Sequence, residues 1–122
     1  DLHGRYFKFI EEELLEGLDG VSRNALKKII IAYEPIWAIG KSSKEAIEPT
    51  DMHQMSIFIK KILVKKYGKG ALSVPILYGG SVESDNAGML LSEGRADGFL
   101  VGRASLDPKE FGEIIDIANN TK

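Results

Sequence analysis

A chain of 122 residues is long enough for one domain around one modest core. Its near-balanced charge, −2 with 28% charged residues, lacks the basic surplus of a nucleic-acid or polybasic membrane surface, and the 43% apolar share is that of an ordinary soluble protein. Without cysteine there is no disulfide and no thiolate metal site, and no apolar run approaches the roughly 18–20 residues that span a bilayer. Asp1-Leu2-His3-Gly4-Arg5 lacks the pattern of a signal peptide, so the cytoplasm is the expected compartment; a first residue other than Met is compatible with processing or with a longer product.

Residues 5–19 place Phe7, Ile10, Leu14 and Leu18 at helical spacing, with acids on the other face and glycines 17 and 20 loosening the end. Ser22 is placed to cap a short turn through Leu26. The run KKIIIAYE then predicts a strand buried on both faces, the habit of parallel sheets. A polar stretch, 40–48, leads to Pro49, which suits a first helical turn. Met52, Met55, Ile59, Ile62 and Leu63 carry that helix to about Lys66, where Gly68 and Gly70 stop it. A second strand in SVPILYGG, a short helix at 86–91, a third strand at 98–102 and a last helix from Asp107-Pro108 to about Ala118 complete the order. Short apolar strands alternating with helices predict an α/β fold with a parallel sheet. The chain reads as one domain, with a leading helix region over 1–27 and three βα units over 28–122.

Function in such folds gathers at the carboxyl ends of the strands. Glu34 ends the first, Gly79-Gly80-Ser81 the second, and Gly102-Arg103-Ala104-Ser105 the third. Glycines let several backbone N–H groups converge on a phosphate, and a helix start after Gly102 adds its positive end. Taken singly, each feature also has a plain structural reading: a salt-bridged acid, a packing indole at Trp37, glycines that only make tight turns. Together they point further. Pro35 stiffens the exit from the strand, and Gly40 opens a polar stretch, as in a hinged lid carrying Trp37 and Ile39. A lid that excludes water from a carboxylate raises its proton affinity and makes it a better general base.

The blocks AYEPIWAIG, YGGSV and DGFLVGRASLDP, in that order and at these intervals, resemble the C-terminal half of triosephosphate isomerase. The likeness covers nearly the whole chain, most weakly its first 20 residues, and implies part of a TIM (β/α)8 barrel: helix 5 followed by βα units 6–8, with parallel strands. Loop closure over a tuned base is a known property of this family. By that resemblance Glu34 is the base that moves a proton between adjacent carbons of a triose phosphate. Pro35, Ile36 and Trp37 form the leading hinge of the lid, Ile39 and Leu100 clamp the base, and Tyr78 latches the closed loop. The N–H groups of Gly40, Ser81, Gly102 and Arg103 hold the substrate phosphate, with Gly79 and Gly80 in support. No metal or organic cofactor is implied. The lid departs from the family's usual Ile-Gly-Thr-Gly-Lys, reading Ile39-Gly40-Lys41-Ser42-Ser43-Lys44, and the stretch before Pro49 is about two residues longer. Arg103 replaces a common glycine but keeps the backbone N–H.

A full barrel of this kind needs roughly 200–250 residues. The resemblance therefore implies that strands one to five are supplied elsewhere, with the family's catalytic lysine and histidine; His3 and His53 lie away from strand ends and are not substitutes. Three strands cannot close a barrel, and two copies offer six strands where eight are needed. The expected partner is a complementary N-terminal barrel half. The alternative is a self-associating half-barrel that binds phosphate compounds without catalysis.

Overall fold

The computed structural model describes residues 2–35 and 43–121. The expected hinge and lid residues Ile36, Trp37, Ile39 and Gly40 fall outside that range. The described chain forms two compact units, Asp1–Ile29 with Ile59–Val74 and Ile30–Phe58 with Pro75–Lys122.

In the first unit, helix α1 spans Leu2–Gly17. It starts three residues earlier than the sequence predicts, so His3 lies within it; Gly4 is tolerated because one helical glycine costs only about 1 kcal/mol. Phe7, Ile10 and Leu14 are half-buried along the expected stripe and Leu18 is buried beyond the helix end, whereas Phe9 and Leu15 are exposed. Gly20 takes φ +78°, a left-handed conformation that lets the chain reverse after the helix. Ser22 Oγ accepts the Ala25 N–H at 3.1 Å, as its position predicts, ahead of a 3-10 turn at Ala25–Lys28.

Helix α2, Pro49–Tyr67, carries Pro at its first position and buries Met52, Met55, Ile59, Ile62 and Leu63 at helical intervals. Its last residue fastens the first unit. The Tyr67 hydroxyl donates to Val21 O at 2.8 Å, and Arg23 Nε donates to Tyr67 O at 2.9 Å. The cation thereby satisfies a carbonyl at the negative end of the helix. Gly68, at φ +92°, ends α2 and a 3-10 segment follows over Lys69–Ser73.

The second unit holds the sheet. Strands β1 (Ile31–Tyr33), β2 (Ile76–Tyr78) and β3 (Gly98–Phe99) are parallel, in the order β1-β2-β3. Ile31 faces Ile76, Tyr33 faces Tyr78, and Tyr78 faces Phe99. Helices α3 (Ala87–Ser92) and α4 (Pro108–Asn120) follow β2 and β3. Asp107 caps α4, its Oδ1 accepting the Lys109 N–H at 3.0 Å.

Two expectations about the strands need correction. The run KKIIIAYE yields a strand of only three residues, and it is not buried on both faces: Tyr33 is buried, but Ala32 is exposed and Ile30 is 62% exposed. The ladder stops where its neighbours stop, and a three-stranded sheet leaves β1 one strand short of cover on its outer side.

Asp97 sets the register of β2 against β3. Its carboxylate accepts the N–H of the fully buried Ile76 at 2.8 Å, and its own N–H donates to Ile76 O at 2.9 Å. Asp97→Ala leaves the Ile76 N–H without its acceptor, so it should lower stability by about 1–3 kcal/mol. A urea midpoint equal to that of the wild type would contradict this.

Candidate active site

Each strand delivers one part of the site. After Tyr33 the ladder continues one step, the Gly79 N–H donating to Tyr33 O at 2.8 Å. This brings Glu34 beside the first residue of the next turn. The Glu34 side chain lies across Gly79: a Cβ there would stand 2.5 Å from Glu34 Cγ and 3.0 Å from Oε1. Pro35 behind it is buried while Glu34 is exposed, so the acid stands at the mouth of the sheet on a fixed stem.

Tyr78, the last residue of β2, is fully buried. Its hydroxyl accepts the Ile47 N–H at 3.2 Å and also hydrogen-bonds the backbone of Ser81. Burial pushes its pKa above the usual tyrosine value, with those two bonds acting in the opposite sense. The expected latch residue thus ties the turn after β2 to the segment entering α2. Its ring folds back against Gly80, where any Cβ would collide with the ring and the hydroxyl. The turn is held further on as well. Asn86 Nδ2 donates to Ser81 O at 3.1 Å, Asn86 Oδ1 accepts the Glu83 N–H at 2.8 Å, and Glu110 Oε1 accepts the Ser84 N–H at 2.6 Å.

The third part leaves β3 at Leu100, whose N–H donates to Tyr78 O at 3.0 Å. Gly102 is exposed with open space around it, and Arg103–Leu106 form one 3-10 turn before α4. Between the second and third turns lies a cavity of about 360 Å³. It is lined by Gly79–Glu83, Gly102–Ala104, Asp107 and Glu110. Five residues predicted for the phosphate or its support, Gly79, Gly80, Ser81, Gly102 and Arg103, therefore share one cavity. Glu34 flanks it at Gly79, Tyr78 stands behind Gly80, and Leu100 lies at the sheet edge, 45% exposed. His53 is exposed on α2.

The lining carries one cation, Arg103, and three carboxylates, Glu83, Asp107 and Glu110. An anion held here relies on backbone N–H groups and Arg103 to outweigh them. Asn86 and Glu110 were not legible as parts of the site, because their partners lie across the turn after β2 or on another element. The one available signal was Asn86 at the start of a short helix, a position that favours asparagine.

Three parallel βα units with polar groups gathered at the carboxyl ends of their strands define a partial α/β barrel, of the class that works at that end. The triosephosphate isomerase family model matches residues 2–118, and the chain belongs to that family. It is 39% identical over 113 residues to a triosephosphate isomerase of Nitratidesulfovibrio vulgaris, covering 92% of this chain and 44% of that protein. To the Francisella tularensis enzyme of the same name it is 42% identical over 119 residues, covering 95% of this chain and 45% of the relative. With the Ureaplasma parvum enzyme it shares 44% identity over 96 residues, 79% of this chain and 38% of the relative. The chain thus spans less than half the length of these relatives. No helix among the described residues is long and apolar enough to cross a membrane.

Proposed function

We propose that this chain is the C-terminal part of a triosephosphate isomerase. Its barrel, once completed by a complementary N-terminal half, interconverts dihydroxyacetone phosphate and glyceraldehyde 3-phosphate. The observation that carries this reading is the seat of Glu34 on Gly79, the residue that opens the turn lining the cavity. That seat supports the reading because it puts the expected base beside the cavity expected to hold the anion.

In this mechanism the phosphate enters the cavity and is held by the N–H groups of Gly102 and Arg103, joined by Gly40 and by the Ser81 N–H, which the ligand shares with the Tyr78 hydroxyl. Glu34 removes a proton from one carbon of the bound triose and returns it to the adjacent carbon. The carbonyl is polarised, and the developing charge met, by the histidine and lysine of the complementary half. Tyr78 holds the trailing end of the lid through Ile47. Ile39 and Leu100 close over the carboxylate and exclude water from it. No cofactor takes part. The three βα units over 28–122 act as one barrel portion, in a cytoplasmic enzyme of glycolysis and gluconeogenesis.

Completion of the barrel also accounts for the apolar groups at the edges of the sheet. Ile30 and Leu100 are exposed next to β1 and β3, the two strands with an unpaired edge among the described residues. Covering such groups contributes about 25 cal/mol per Å² of apolar surface. The decisive assay is turnover on mixing the chain with a family-type N-terminal half, where activity above that of either component is expected. The same exposed groups support a second reading, a self-associating half-barrel that binds phosphate without turnover. Thermal stabilisation by phosphate, with no isomerase activity on mixing, would favour it.

A further inference from the structure

Two side chains hold three backbone groups of the turn after β2. Asn86 grips both Ser81 O and the Glu83 N–H, and Glu110 reaches from the first turn of α4 to the Ser84 N–H. The turn also closes on itself through the Ala87 N–H, which donates to Glu83 O at 3.0 Å. A peptide unit is planar and trans, so fixing Ser81 O fixes the direction of the Val82 N–H, and fixing the Glu83 N–H fixes Val82 O. Both peptide planes flanking Val82, which lines the cavity, are therefore set by hydrogen bonds within the chain itself. Order established on folding need not be established on binding.

Glu110 makes the idea testable by sign. It is a carboxylate in the lining of a pocket read as an anion site. Through charge alone it would repel the ligand, and removing it would tighten binding. Through its bond to Ser84 it would have the opposite effect. We propose that Asn86 and Glu110 are positioning residues that hold the Ser81–Ser84 backbone in the conformation a phosphate group requires. This rests on reading the cavity as a phosphate site.

The test is calorimetric titration of inorganic phosphate into the wild-type chain and into Glu110→Ala, Glu110→Gln and Asn86→Ala, with circular dichroism to establish that each variant folds. Glu110→Ala should bind phosphate about tenfold more weakly, the factor expected for one ordinary hydrogen bond, and Asn86→Ala, which loses two, at least as weakly. Glu110→Gln keeps an oxygen that can accept the Ser84 N–H and loses the charge, so it should bind as tightly as the wild type or more tightly. Glu110→Ala binding as well as the wild type, or Glu110→Gln falling as far as Glu110→Ala, overturns the positioning role and leaves the phosphate reading standing. Should Glu110→Ala not fold, Asn86→Ala decides, and unchanged affinity there overturns the proposal. A wild-type chain that takes up no phosphate overturns the phosphate reading and this inference with it.

Discussion

Glu34→Gln should lower the turnover of the completed barrel by roughly a hundred- to ten-thousandfold, the range for removing a positioned general base. At about 1.4 kcal/mol per tenfold, that corresponds to ~3–6 kcal/mol of barrier. The substitution is nearly isosteric and the side chain is exposed, so the fold should not register it. Phosphate affinity should change only a few-fold, because the cavity is lined by residues of the second and third turns and Glu34 stands beside it. The two effects separate base from binder: kcat falls and KM holds. A variant that retains most of its turnover would remove Glu34 from the chemistry.

The adjacent glycines should behave differently from each other, although they sit side by side in the sequence. An added methyl at Gly80 meets the ring and hydroxyl of Tyr78, which is fully buried and holds the Ile47 N–H. That ring has nowhere cheap to go. Overpacking of this kind costs about 1–3 kcal/mol, and loss of the hydroxyl's bond adds about 1 kcal/mol. Gly80→Ala should therefore unfold at markedly lower denaturant. The three atoms that a methyl at Gly79 comes nearest all belong to the side chain of Glu34, which is exposed to solvent. Gly79→Ala should leave the unfolding midpoint nearly unchanged while displacing the base, so its loss appears in turnover. Misplacement by about 1 Å is enough to cost on the order of a hundredfold. Equal stability losses in the two variants would mean that Glu34 is not seated as described.

That contrast marks what spacing alone reveals. The glycine pair was legible as a tight, anion-compatible turn, since a missing Cβ is a local property. What fills the space of each missing Cβ was not, because Glu34 reaches Gly79 only through the pairing of β1 with β2, and the Tyr78 ring meets Gly80 by folding back along its own turn. Helices were legible where the apolar period ran long, as in α2, and where Asp107-Pro108 announced a start. Strand extents were not: KKIIIAYE reads as a longer strand than Ile31–Tyr33, because apolar character says nothing of which neighbours are there to pair with. Asp97 and Glu110 act on backbone groups that folding brings to them from distant parts of the chain, and no sequence interval encodes that. The expectation that Glu34 is a base came from the resemblance rather than from composition or periodicity.

The most direct test of the account mixes the purified chain with an N-terminal half from the family and follows isomerase activity beside solution mass. Turnover should rise with added partner and level off at one to one, together with a complex of the summed mass, and Glu34→Gln should remove the turnover but not the complex. A one-to-one complex that shows no isomerase activity with the wild-type chain would contradict it.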